Sequence, residues 1–111
     1  MRTLLDAGYR ILAVNYHSRY GEIDVIAADL EMICFVEVKT RREKALVAAE
    51  ESVTPAKQIK ILKTALSYIA ETGCGLQPRF DVFCVITGAD GGVVRHDHIK
   101  GAFDGEAYKN Y

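Results

Sequence analysis

The chain has 111 residues, half of them hydrophobic, and a formal net charge of −1, which allows one compact domain with one core and excludes a binder working by bulk positive charge. No apolar run reaches membrane-spanning length, and the opening MRTLLDAGYR lacks a signal peptide's hydrophobic region and cleavage site, so a cytoplasmic protein with no membrane partner is expected. Cys34, Cys74 and Cys84 are odd in number, widely spaced and without a CxxC pair, which points to free thiols, those of Cys34 and Cys84 buried, and away from a disulfide or zinc framework.

In chain order, Met1 to Asp6 reads as the last turns of a helix closed by Gly8. Tyr9 to Tyr16 has the β-branched and aromatic content of a strand, and His17 to Gly21 is a polar turn. Gly21 to Arg42 reads as a hairpin of two further strands. Thr40 to Ser52 is expected to be a loop with marginal helix. Thr54 can cap a helix with Pro55 at its first position, and Ile59, Leu62, Leu66 and Ile69 recur on one face until Gly73. FDVFCVIT, Phe80 to Thr87, is apolar without alternation, as a strand covered on both faces would be, and Val93 to His98 follows a GADGG turn as an edge strand. Strands, a helix and a buried strand predict an α/β fold with a mixed sheet.

The hairpin carries acids where a core hairpin should not. Glu22, Asp24 and Ile26 share one face by alternation, as do Ile33, Phe35, Glu37 and Lys39 on the partner strand. With an even-numbered loop, Asp29-Leu30 or Ala28 to Glu31, Asp24 lies opposite Phe35 and Glu22 opposite Glu37, and all three carboxylates converge with Lys39 at one end. An odd loop would put them on opposite faces. Two like charges about 6 Å apart at an effective dielectric of about 20 repel by roughly 3 kcal/mol. Lys39 supplies one compensating charge, and the remaining excess suits a hard divalent cation, Mg²⁺ or Mn²⁺. The competing reading is a surface ion pair between Glu37 and Lys39 that contributes little.

At these residues the chain resembles a known family. GYRILAVNYHSRYGEIDVIA with FVEVKTRR, then ESVTPAKQIKIL and RFDVFCV, is similar in order and content to the YraN-like family of uncharacterised bacterial proteins, over nearly the whole chain. That family is in turn similar to archaeal Holliday junction resolvases of the PD-(D/E)xK superfamily. The resemblance implies a restriction-endonuclease-like fold, with a central mixed β-sheet flanked by helices, and Mg²⁺-dependent phosphodiester cleavage. It implies that Asp24 and Glu37 hold the metal with the backbone carbonyl of Val38, and that Lys39 orients water and stabilises developing charge. Glu22 would be an outlying partner of these ligands or a half-exposed strand end. The family normally begins with a longer helix carrying an additional acid in a GE pair, so the chain from 1 to 111 is expected to be one endonuclease-like domain lacking the start of that helix.

The resemblance also puts Lys57 and Gln58 near the site, in a helix first turn where the dipole favours phosphate. With Arg41, Arg42 and Lys44 they form a candidate grip on the backbone of nucleic acid, DNA in preference to RNA. Lys60 and Lys63 by themselves read as solvated. His96 and His98 form an H-x-H, read as exposed histidines near an edge in preference to a metal pair, and Asp81 as a hydrogen-bonded structural acid paired with Arg79. Two functions follow: a metal-dependent nuclease acting on DNA, branched DNA included, and an inactive nucleic-acid or protein-binding module on the same fold. Resolvase-like nucleases often act as dimers, which makes a homodimer an expectation.

Overall fold

The computed structural model describes residues 2–44 and 53–105. Helix α1 (Arg2–Asp6) leads into strands β1 (Arg10–Ser18), β2 (Gly21–Ala28) and β3 (Met32–Arg42), then helix α2 (Pro55–Thr72) and strands β4 (Gln77–Thr87) and β5 (Val93–Phe103). The five strands lie in the order β1-β2-β3-β4-β5. Among the described strands only the β3–β4 pair is parallel, and α2 lies in the crossover between them, as a parallel connection requires. This is the mixed sheet flanked by helices expected of a restriction-endonuclease-like fold.

The helices cover opposite faces. Ile61 and Ala65 of α2 pack with Ile23, Ile26, Ile33, Phe35, Val82 and Cys84, whereas Leu4 of α1 packs with Tyr9, Val25, Ala27, Cys34, Val36 and Phe83. Residues Asp81 to Cys84 are buried without a break, so β4 is covered on both faces, as its unalternating apolar run predicts.

Helix α2 is bounded as expected. The Thr54 side chain accepts from the Lys57 amide, Pro55 opens the helix, and Gly73 closes it at φ 67, a left-handed angle that glycine adopts without strain. Its buried face differs from the expected one. Ile61, Leu62, Thr64 and Ala65 are buried, while Leu66 is 53% exposed. Leu62 and Ile69 of the expected row are covered, and Ile61, Ala65 and Tyr68, one position round from it, complete the packed face.

The β2–β3 loop is even-numbered, but the pairing is two residues from the expected one: Ile26, not Asp24, lies opposite Phe35, and Ala28 pairs with Ile33. Asp29 explains the shift. Its Oδ1 accepts from the Glu31 and Met32 amides, both at 2.8 Å, and its own amide donates to Met32 O, so Asp29 to Met32 closes as one turn. Strand β3 also runs on through Arg42, where a loop was expected from Thr40, because β4 pairs alongside it to Thr87. Of the stretch Glu43 to Glu51 that carries the marginal helix, Glu43 and Lys44 are in a turn and the rest lies outside the described residues.

Strand β1 is irregular twice. A register shift falls between Ile11 and Ala13, and Asn15 has φ 51, a left-handed conformation that Asn tolerates better than most residues. The second irregularity reverses the alternation: Ala13 and Tyr16, three apart, both pack against the α2-side core.

On the α1 side of the sheet Asp81 is fully buried and saturated. It accepts from Arg79 Nε (2.9 Å) and Nη2 (2.8 Å), from the Gly101 amide (3.0 Å) and from His98 Nε2 (2.8 Å). Arg79 Nη2 also donates to the Tyr9 hydroxyl at 2.7 Å. The pairing with Arg79 is as expected. His98, however, is not an exposed histidine: its side chain is 16% exposed and spends Nε2 on Asp81, whereas His96 is exposed and lies beside the Phe83 ring.

Candidate active site

The β2–β3 ladder ends at Val25↔Val36. Two residues further along β3, the Val38 amide donates 2.8 Å to Asp24 Oδ2 instead of to the β2 backbone. In an antiparallel pair the amide and carbonyl of one residue face the same neighbour, so the Val38 carbonyl faces this opened gap too. Asn15, interpolated between the pairs Val14↔Val25 and Tyr16↔Ile23, stands opposite Asp24. Its backbone there is left-handed, φ 51.

Glu22, Asp24 and Glu37 line one hollow of 230 Å³ with Gly21, Lys57 and Lys60. The three carboxylates thus converge as the even-loop reading expects. Helix α2 lies close against Gly21, a Cβ built there standing at ordinary contact distance, 3.5 Å, from Lys60 Cβ. Ser18 fixes that approach: its Oγ donates to Thr64 Oγ1 (3.1 Å), which donates to Lys60 O (2.8 Å).

Lys39 Nζ lies 3.3 Å from Glu37 Oε1, both side chains being about four-fifths buried at 17% and 21% exposure. This pair is therefore more enclosed than a solvated surface bridge. Burial, and after it the charge of Asp24, raises the Glu37 pKa above its ordinary value against the opposing pull of Lys39 and Lys57. One lysine does not neutralise the two acids. Glu22 stands further out, 61% exposed and 3.4 Å from His17 Nδ1, a partnership with His17 that strand parity did not reveal.

The donor set fits a hard cation: two carboxylates and a backbone carbonyl, all oxygen, with room for water and phosphate, in the manner of Mg²⁺. Among the described residues no group of three or more His, Cys, Asp or Glu side chains is gathered closely enough to hold a metal ion by itself. The ligation would rest on Asp24, Glu37 and Val38. His96 and His98 contribute no such group.

The expected basic residues divide. Lys57 lines the acidic hollow, and so does Lys60, which by itself read as solvated. Gln58 turns its amide to Val53 O at 3.0 Å and braces the start of α2. Arg42 and Lys44 line a separate hollow with Glu43 and the β4–β5 turn, and Arg41 donates to Thr40 O.

The model of the uncharacterised protein family UPF0102 matches residues 1–85. The chain belongs to the UPF0102 family. A UPF0102 protein of Desulfosudis oleivorans is 42% identical over 104 residues, covering 93% of this chain and 81% of that one. UPF0102 proteins of Chlorobium phaeobacteroides and Sulfurihydrogenibium sp. are 40% and 48% identical, over 90% and 74% of this chain and 83% and 72% of theirs. The UPF0102 match spans all of β1 to β3, α2 and most of β4, and hence every residue lining the hollow. Among the described residues no helix is long and apolar enough to cross a membrane.

Proposed function

We propose that the chain is a metal-dependent nuclease that hydrolyses phosphodiester bonds in DNA with Mg²⁺ or Mn²⁺ as cofactor. The observation that carries this reading is the composition of one hollow: two acids in excess of their lysine, one with a raised proton affinity, face Lys57 and Lys60 of α2. Acids crowded together call for a cation, and lysines across from them call for an anion. A phosphodiester with its metal supplies both.

Bound by Asp24, Glu37 and the Val38 carbonyl, the metal would polarise the scissile phosphate and acidify the attacking water. Asp24 also holds the Val38 amide, which fixes the position of its free oxygen. Lys39 keeps its ammonium beside Glu37, where negative charge develops during attack. Lys57 and Lys60 bind flanking phosphates, helped by the positive end of α2. A cytoplasmic location and a homodimer accompany this reading.

The test is calorimetric titration with Mn²⁺ of the wild type beside Asp24→Asn and Glu37→Gln, followed by cleavage of junction, flap and single-stranded DNA. Metal binding and cleavage that both variants lose support the nuclease. Undiminished metal binding in both variants removes these residues from the site. Absence of metal binding in all three favours the non-catalytic binding module.

A further inference from the structure

Beyond the acidic hollow, Lys60 is a shared wall. It also lines a hollow of 400 Å³ with Arg19, Tyr20 and Lys63, which adjoins another of 370 Å³ lined by Tyr20, Lys63, Leu66 and Ser67. Among the described residues none lining either hollow is acidic, in a chain whose formal net charge is −1.

Tyr20 is the centre of this surface. Its ring is 38% exposed. The Arg19 guanidinium carbon is 5.0 Å and Lys63 Nζ 5.8 Å from the ring centroid, and Arg19 Nη2 donates to the Tyr20 hydroxyl at 2.8 Å. The ring is also held in place. Arg19 and Tyr20 form the turn between the paired Ser18 and Gly21, and the Tyr20 amide donates to the same Ser18 Oγ that is bonded to Thr64 of α2. An aromatic ring fixed on a tight turn against a helix loses little freedom when it is covered.

Lys57, Lys60 and Lys63 recur every third residue, so they rise along one side of α2 over about 9 Å, enough for a short stretch of nucleic-acid backbone. A ring among cations, next to such a track, suits the π-face of a nucleobase together with its phosphate. In a duplex that face is covered by stacking, and it becomes available only when the base is unpaired.

We infer that Tyr20 is a stacking platform for an unpaired base of the DNA strand whose phosphate enters the acidic hollow, so that the substrate is single-stranded or frayed beside the cut. The inference rests on the nuclease reading for what lies in the hollow, but the platform can be measured without catalysis. The probe is a single-stranded oligodeoxynucleotide carrying 2-aminopurine, beside a blunt duplex of the same length, both in EDTA so that nothing is cut. The expected result is quenching of the 2-aminopurine and tighter binding of the single strand than of the duplex. Tyr20→Ala should weaken single-strand binding by roughly 5- to 150-fold and leave duplex binding unchanged, with Tyr20→Phe restoring both affinity and quenching.

Equal affinity of the wild type for both DNAs, or an equal loss on both in Tyr20→Ala, overturns the platform. Because metal is absent, the quenching reads stacking independently of any cleavage. Quenching in a protein that never cleaves would therefore sink the nuclease and leave the platform standing, and cleavage of intact duplex indifferent to Tyr20 would do the reverse.

Discussion

The Asp24 carboxylate accepts the Val38 amide hydrogen at 2.8 Å, so the first acid of the site is bonded to the residue between the second acid and its lysine. Asp24→Asn keeps an oxygen acceptor for that amide and removes only the charge, whereas Asp24→Ala removes both. Mn²⁺ affinity should fall in either variant. Stability in urea should be lower in the alanine variant by about 1 kcal/mol relative to the asparagine variant, and equal midpoints would show that the bond holds nothing.

Glu37 gives the site a pH dependence of definite sign. Its folded pKa lies above the ordinary 4.5, through burial first and Asp24 second. Its contribution to stability is therefore fully present below 4.5 and is lost as pH rises through the raised value. Metal binding needs the ionised carboxylate and runs the other way, so Mn²⁺ affinity should begin to fall, on acidification, at a higher pH than an ordinary glutamate would give. In Asp24→Asn the titration of Glu37, followed by carboxyl ¹³C NMR, should move down towards 4.5. An unmoved titration would exclude electrostatic coupling of the two acids.

Asp81 titrates in the opposite sense. Burial pushes its pKa up, but the hydrogen bonds from Arg79, Gly101 and His98 outweigh it and hold the carboxyl below the ordinary 3.8. Its stabilisation is present above 3.8 and is lost as pH falls through the lower folded value. Asp81→Ala, which strands the Arg79 charge on a mostly buried side chain, should cost about 3–5 kcal/mol in urea denaturation without altering Mn²⁺ affinity measured on the folded fraction.

The cysteines should react in order of burial. Cys34 is buried, and desolvation, helped by the Asp81 charge, raises its thiol to about 11. Cys84 is buried as well and Cys74 is half-buried. A thiol reagent at pH 8 should modify Cys74 first and reach Cys34 only on unfolding. Rapid labelling of Cys34 in the native protein would contradict the closed α1-side core.

Most of the architecture is legible from local chemistry: the Thr54-Pro55 start and Gly73 stop of α2, the unalternating β4, and the even parity that gathers Glu22, Asp24 and Glu37. What escapes strand parity is set by single side chains or by tertiary contact. Asp29 moves the hairpin by two residues through its own turn bonds, and Asn15 reverses the facing of β1 with one left-handed angle. The partnership of His98 with Asp81 joins residues 17 apart across neighbouring strands, and periodicity carries no trace of it. Likewise the exposure of Leu66 follows from where the sheet meets α2, since a row of apolar residues on a helix does not specify which of two adjacent rows is covered.

The two outermost strands share a property with consequences for solubility. Each takes a positive φ within its run, β1 at Asn15 and β5 at Gly101, and each is out of regular register with its inner neighbour elsewhere along its length. An incoming strand needs a straight row of amides, and these edges offer only short, twisted runs. The left-handed residue opposite Asp24 and the one whose amide reaches Asp81 therefore have a second effect. They deny other chains a template for continuous cross-β growth, so protection against fibre formation is built from the same backbone irregularities that shape the site and anchor the core.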